Sequence, residues 1–454
     1  MSLRRRTWLV CFLSAVVLVV GTADRRLPLL VSSAAAADTV SLDPFEIDLG
    51  VARLRVPHLE ASGTTLDKAG LTALLDPKSS LGLLERLDKL TAASITASDV
   101  TLESTDPLGA VRLSYKQITF SDVVRGRIGK LAATGGALGF DAAALKAAID
   151  GGLGDVRIDN LDLGLLARSV TQPRQDAGEP VRALFDHAEF DGFHIKAGDS
   201  FAVSTGKWSL ADVQLRPLLA STLAGPEVLL QSYLHTDEER SLALGAGFIT
   251  DLWSSLIVGD AEIRDIAVRF EWDGGRTTYT LSRVHLGGIG RGKFEDMALE
   301  GMGFDSPGGR FKLALYAIRG LDLSGILGPL LEAGKLSERK RHETDSAAAA
   351  EDAKAMLAAV ADFYDGLSLR ATEVQGLDFV AGSGPKSTAA SLGRYALVDL
   401  AHSHVGDLAV ERLHVATPEG HFAIGEFSLH DFDYGPVLKG LKLMAAKAAV
   451  LILA

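Results

Sequence analysis

The sequence predicts an α+β protein dominated by β structure, in which repeated antiparallel β-meander units form a long twisted sheet with short amphipathic helices between them. Three observations carry this. An eight-residue phrase, apolar at its first, third, sixth and eighth positions, occurs four times: VRIDNLDL from Val156, WSLADVQL from Trp208, YAIRGLDL from Tyr316 and FSLHDFDY from Phe427. Landmarks also recur in fixed order: Tyr115, Tyr279 and Tyr395 are each followed eleven residues later by a glycine (Gly126, Gly290, Gly406), with Phe140, Phe304 and Phe422 beyond. The composition agrees. Hydrophobic residues at 47% of 454 support a large core, while 47 glycines and only 6% aromatics suit many short strands and turns.

Residues 1–37 read as an export signal, with Arg4, Arg5 and Arg6 ahead of an apolar run from Trp8 to Gly21. Cleavage after Ala37, cleavage after Ala23 and retention as an anchor all fit this segment. The expected location is therefore the periplasm, either free or anchored in the inner membrane and facing the periplasm. Membrane contact is expected only through this segment if it is kept. The single cysteine, Cys11, lies inside it, so a chain starting at Asp38 has no disulfide and no thiolate chemistry. Residues 1–37 carry five Arg and one Asp, +4 against −12 for the whole chain, which leaves the remainder near −16. That balance excludes a sequence-independent nucleic-acid binder, which needs basic stripes, and disfavours a surface built to lie on anionic lipid.

Residues 38–96 are expected to hold an N-terminal strand and a helical hairpin broken at Pro77, with Thr64-x-x-Asp67 approximating a capping box. The first repeat unit spans 97–170. Residues 171–187 (TQPRQDAGE at their start) read as a linker. A shortened second unit plus a helical segment covers 188–260, and a third unit covers 261–335. In the third, Ile266, Val268, Phe270 and Trp272 alternate into an Asp273-Gly274-Gly275 turn, the signature of a half-buried hairpin. A connecting amphipathic helix is expected over 336–370. The fourth unit, 371–454, ends in a helix whose first turn holds Pro436. Within the phrase, strict alternation turns the second half to the opposite face. A β-bulge is therefore expected there, keeping the four apolar groups together.

The rhythm of VRIDNLDL and YAIRGLDL over residues 97–440 resembles the AsmA-like group of exported, repeat-rich β proteins. The resemblance implies a twisted sheet forming a groove with an apolar interior, and it implies no catalytic residues. AsmA-like proteins are longer, with an unambiguous N-terminal membrane helix.

Candidate chemistry is sparse. GGIGRGKF (Gly287–Phe294) fits the spacing of a phosphate loop but has Phe294 where the metal-binding hydroxyl belongs, and its position matches the turn VVRGRIGKL in the first unit. His402 and His404 share a strand face, and His414 lying across a hairpin would make them a zinc geometry; the alternative is polar residues at strand ends. Asp162, Asp322, Asp433 and Asp378 recur in or near the phrase and are expected to point outward to solvent. No Ser-His-Asp order or nucleophile elbow occurs. The expectation is thus a non-enzymatic protein without cofactors. Its apolar face is made by Phe427, Leu429, Phe432 and Tyr434, and by Tyr316, Ile318, Leu321 and Leu323. It either shields lipid or another hydrophobic ligand in a groove, or serves as a structural or interaction protein of the envelope, with envelope protein partners and a closed core. An exported hydrolase is the third, unsupported reading.

Overall fold

The computed structural model describes residues 39–48, 52–75, 83–104, 110–142, 147–176, 178–219, 251–272, 275–325, 346–382, 387–440 and 443. The segment expected to be an export signal, the expected break at Pro77 and the expected Asp273-Gly274 turn lie outside these residues. Among the described residues, no helix is long and apolar enough to cross a membrane. The chain divides into two compact units, Met1–Thr222 with Val258–Arg276, and Leu223–Ile257 with Thr277–Ala454. Every registered strand pairing is antiparallel.

The first unit opens with four short strands, β1 (Thr39–Leu42), β2 (Phe45–Asp48), β3 (Ala52–Val56) and β4 (His58–Ser62). Two helices, α1 (Lys68–Leu75) and α2 (Leu83–Asp88), lead into the long strands β5 (Thr91–Ser104) and β6 (Ala110–Val124). Then come β7 (Arg127–Thr134), β8 (Gly136–Ala142), β9 (Ala147–Leu153), β10 (Val156–Asp162) and α3 (Leu163–Thr171). The remainder is β11 (Arg182–Phe190), β12 (Phe193–Ala197), β13 (Phe201–Thr205), β14 (Trp208–Leu215) and β15 (Leu256–Trp272).

The pairings arrange these strands in two parallel lanes. One half of β5 pairs with β4 and the other with β3. Likewise β6 pairs with β7 along one half and β8 along the other. From there β7–β10–β11–β14 run in one lane and β8–β9–β12–β13–β15 in the other.

The second unit is simpler. Strands β16 (Gly275–Gly290), β17 (Lys293–Ser306) and β18 (Gly309–Asp322) are followed by α4 (Ser346–Gly366). Four more follow: β19 (Ser368–Ala381), β20 (Thr388–Ala401), β21 (His404–Thr417) and β22 (Gly420–Asp433). Each strand pairs with the strand before it, a plain seven-strand meander.

The expected bulge is absent from three copies of the phrase; in the fourth, Trp208–Leu215, the register against β11 shifts between Phe185↔Val213 and Ala183↔Gln214. The fifth residue of the phrase is left-handed in all four copies: Asn160 (φ 62°), Asp212 (51°), Gly320 (61°) and Asp431 (51°). In three of them the register runs through this point without a slip, as with Val156↔Ala133 and Asp162↔Arg127 on either side of Asn160, so no residue is inserted. A left-handed residue interrupts the twofold alternation and moves the pleat to the other side. Asn, Asp and Gly are the residues that tolerate this conformation. Asp99, Asp122, Asp265 and Asp399 sit in the same conformation elsewhere. Opposite Asp122 and Asp212 the neighbouring strand has a glycine at the crossing point. A Cβ on Gly129 would lie 2.7 Å from the Asp122 Cβ, and one on Gly259 2.7 Å from the Asp212 Cβ.

The tyrosine alignment is also corrected. Tyr115, Tyr279 and Tyr395 oppose Val100, Phe304 and Val410, and lie at different distances from the equivalent hairpin turns. Those turns are Arg125-Gly126, Arg291-Gly292 and His402-Ser403, each with two left-handed residues three positions after Asp122, Gly288 and Asp399. Of Gly126, Gly290 and Gly406, only Gly126 occupies one. Gly290 ends β16, and Gly406 lies inside β21 against Asp399.

Other expectations shift in detail. Residues 171–187 are no free tether, because β11 begins at Arg182 and Arg174 N–H donates to the Leu218 carbonyl (2.7 Å). Arg168 pairs there with Glu179 at 2.8 Å. Asp67, not Thr64, accepts from the first turn of α1, through Gly70 N–H at 2.7 Å.

Helices gather at one end of the strands in each unit. In the first, Thr91 opposes Val124 and Asp162 opposes Arg127, so α2 and α3 both lie at the Arg125-Gly126 end. In the second, Asp322 opposes Lys293 and Ser368, and Asp433 opposes His404. That places α4 and the short helix over 435–440 beside the Arg291-Gly292 and His402-Ser403 turns.

Candidate functional site

The repeated phrase and its in-register kinks produce one sheet face that is predominantly apolar. In the second unit, cross-strand partners define successive rows. Nearest the helices runs Ile289, Phe294, Leu321, Leu369, Leu400, Val405 and Phe432. Further along run Leu286, Met297, Ile318, Thr372, Leu397, Leu408 and Leu429, then Val284, Leu299, Tyr316, Val374, Tyr395, Val410 and Phe427. Toward the end without described helices lie Tyr279, Phe304, Phe311, Phe379, Ala390, Val415 and Phe422, with the Tyr279 and Phe304 rings 4.8 Å apart. Directly opposed residues project from the same side of a sheet, so each row is a continuous line, apolar except at Thr372, whose hydroxyl donates to the Ala317 carbonyl (3.1 Å).

The opposite face is polar and laced with ion pairs. Arg283 reaches Glu300 at 2.8 Å, and Arg394 bridges Glu373 (2.9 Å) and Glu411 (3.0 Å). The Arg394 guanidinium, with Gln375 assisting, holds the Glu373 carboxyl below the usual carboxylate range.

Six of the eight expected face residues stand in these rows: Tyr316, Ile318, Leu321, Phe427, Leu429 and Phe432. Leu323 and Tyr434 lie just past the ends of β18 and β22. Leu323 N–H donates to the Gly292 carbonyl (2.8 Å), and the Tyr434 ring stacks on Phe432 while its hydroxyl donates to the Tyr364 carbonyl (3.4 Å).

In the first unit the corresponding face is more enclosed. Leu54, Val100, Leu102, Leu113, Tyr115, Ile118, Phe120, Leu131, Ala133 and Val156 converge on a small, partly open recess of about 70 Å³. These ten side chains come from β3, β5, β6, β7 and β10. A recess formed by one face of a sheet requires the sheet to curl toward that face. The Tyr115 phenol is the lone polar group among them; burial, with the Asp155 carboxylate adding to it, pushes its pKa up to about 12. In the second unit a smaller recess sits at the helical end, where Trp253 meets Phe294 edge-to-face at 5.5 Å.

No protein-family model, curated protein or solved structure matches the chain.

The remaining candidates separate. His402 occupies the left-handed first position of a turn, and His404 starts β21, 3.7 Å from Asp431. His414 opposes Ser391 and Ala423, ten residues further along β21 and about 30 Å away, so one ion cannot reach both His404 and His414. No group of three or more His, Cys, Asp or Glu side chains is arranged to hold a metal among the described residues. GGIGRGKF is the end of β16, a two-residue turn and the start of β17, so its final glycine and lysine lead into a strand and not into the helix a phosphate loop needs.

The recurring aspartates have a role the sequence reading missed. Asp162 is 5% exposed and accepts from Leu165 N–H at 2.7 Å, capping α3. Asp322 accepts from Ser324 N–H at 2.9 Å and Asp433 from Gly435 N–H at 2.7 Å. In these three copies the phrase therefore ends in a strand-to-helix corner, whereas the copy at Trp208–Leu215 has Gln214 in place of the aspartate. The Asp followed by a helical pattern was the available signal. Asp378, by contrast, stays in β19, 3.8 Å from Arg310.

Proposed function

We propose that this protein is a non-enzymatic, exported component of the cell envelope whose apolar sheet face holds lipid or another hydrophobic ligand. The observation that carries the reading is the wide, predominantly apolar face of β16–β22. Few of its side chains are buried, Leu313 and Leu369 among them, while Tyr279, Phe379, Phe422, Phe427 and Phe432 are exposed. Exposed apolar surface of this extent marks an interaction or ligand site. The signal-like N-terminus and the rhythm resembling AsmA-like proteins support the same reading. The alternative, a structural or interaction protein with a closed core, draws on the first unit, where Leu131, Val156 and Ile158 are buried.

Mass spectrometry of organic extracts from the purified protein tests the proposal, read beside melts of Phe432→Asp and Leu321→Asp. A ligand face predicts lipid in the parent extract and its loss in the variants, whose stability changes little because the new charge stays hydrated. A lipid-free parent, with variants destabilised by more than about 3 kcal/mol, identifies a closed core instead.

A further inference from the structure

We propose that the free edge of β22 receives one added β-strand from a partner protein, a strand with apolar side chains on one face and a basic side chain on the other, opposite Glu426. Among the described residues β22 pairs only with β21, leaving the outward N–H and C=O groups of a 14-residue strand without ladder partners. Such an edge is a template for another strand, and proteins ordinarily blunt it with short strands, lysine or proline. The starting edge of the first unit is blunted in this way: β1 and β2 have four residues each and are separated by Asp43-Pro44. β22 has no Lys, Arg or Pro.

Two further observations define the strand that fits. Phe422, Phe427 and Phe432 are 55%, 47% and 45% exposed, while their partners one strand inward, Val415, Val410 and Val405, are only partly exposed. A neighbour carrying apolar groups on that face covers them. On the polar face, Arg283 opposes Glu300 and Arg394 opposes Glu411, cation against anion. At the edge this pattern breaks, because Glu426 opposes Glu411 and is bonded to no cation among the described residues. An arriving Arg or Lys opposite Glu426 restores the alternation. A second copy fits worse, since β22 against β22 sets Glu426, Asp431 and Asp433 beside one another with only His421 and His430 to offset them.

The test uses the full chain and a labelled synthetic peptide of about twelve residues, alternating valine and threonine with one central arginine, in fluorescence anisotropy. Two matched peptides accompany it. One has glutamate for the arginine, and the other has alternate backbone nitrogens methylated, which keeps the side chains but prevents ladder formation. The arginine peptide is expected to bind about tenfold more tightly than the glutamate peptide, the methylated peptide not to bind, and Glu426→Arg to invert the charge preference. Glu426 is exposed, so the variant is expected to fold, and an unchanged melt checks it. Equal binding of all three peptides places them on the apolar face and overturns the proposal, as does binding of none. A dimer that excludes the peptide and survives Glu426→Arg assigns the edge to a second copy and overturns it equally. None of these outcomes depends on whether the face holds lipid.

Discussion

At the residue scale the organising device is a left-handed residue facing a residue of ordinary strand conformation. Asp212 and Gly259 form one such pair, and Asp122 and Asn160 flank Gly129 in another arrangement of the same kind. Gly259→Val, whose Cβ alone would lie 2.7 Å from the Asp212 Cβ, is expected to lower stability by about 2–3 kcal/mol, whereas Asp212→Gly should be nearly neutral. Chemical denaturation of the two variants measures the contrast. The sequence made half of this legible. The odd spacing of the phrase was visible, but an alternation rule counts residues and reads a kink as an insertion. The tyrosines misled for a related reason: all three share the apolar face, but Tyr279 lies in the row of Phe304 and Tyr395 in the row of Val410. Titration offers two further checks. The Tyr115 pKa, raised from 10.0 to about 12, contributes stability that is fully present below pH 10 and lost as pH rises toward 12, of order 3 kcal/mol. Tyr115→Phe should flatten that alkaline decline in thermal melts. Glu373 has the opposite sign. Its depressed pKa stabilises above the ordinary carboxylate range and is lost as pH falls through the lowered value. Glu373→Gln is therefore expected to cost about 1 kcal/mol at pH 7 and nothing in strong acid, measured by melts across the acid limb.

At the scale of elements, the hairpins and the capped corners divide the work. Two-residue turns with both residues left-handed match the strand twist, and Asn-Gly suits them best. His402 (φ 48°) is an uncommon occupant of the first position. His402→Asn should raise the denaturant midpoint, by the equivalent of about 0.5 kcal/mol, because asparagine holds that conformation with less strain. Ser403 is a poorer choice for change, since its hydroxyl donates to Asp365 at 2.8 Å and ties the turn to α4. The strands were legible because they alternate over many residues. The corners were not, because Asp162, Asp322 and Asp433 cap helices that begin immediately at the strand end, and a carboxylate between two apolar residues reads as solvent-facing until the helix behind it is known.

At the scale of the whole molecule, burial is uneven. The first unit buries Ile95, Val123, Ile128, Leu131, Val156, Ile158, Leu161 and Phe185, whereas the buried positions on the strands of the second are few and mostly small, such as Ala298, Ala317 and Ala396. Amide protection follows cooperative packing, so hydrogen-exchange mass spectrometry should find β5, β6, β7 and β10 exchanging more slowly than β16–β22. A bound hydrophobic ligand would narrow that gap from the second side. The wide apolar face was legible from periodicity; which part of it is buried was not, since alternation records which side a residue faces and not what lies above it. The plain meander of the second unit also bears on how the chain reaches its fold. Each strand from β17 onward pairs with the strand that precedes it in sequence, so contacts are local and loop closure is inexpensive in entropy except across α4. Such a sheet can zip up hairpin by hairpin in the order of synthesis. The two-lane first unit must instead hold one half of β6 open for β8 while the other half closes on β7. Deleting one hairpin from the meander would leave the strands before it with their partners intact, which makes sheet length in this unit an evolutionary variable separable from the folding of the rest.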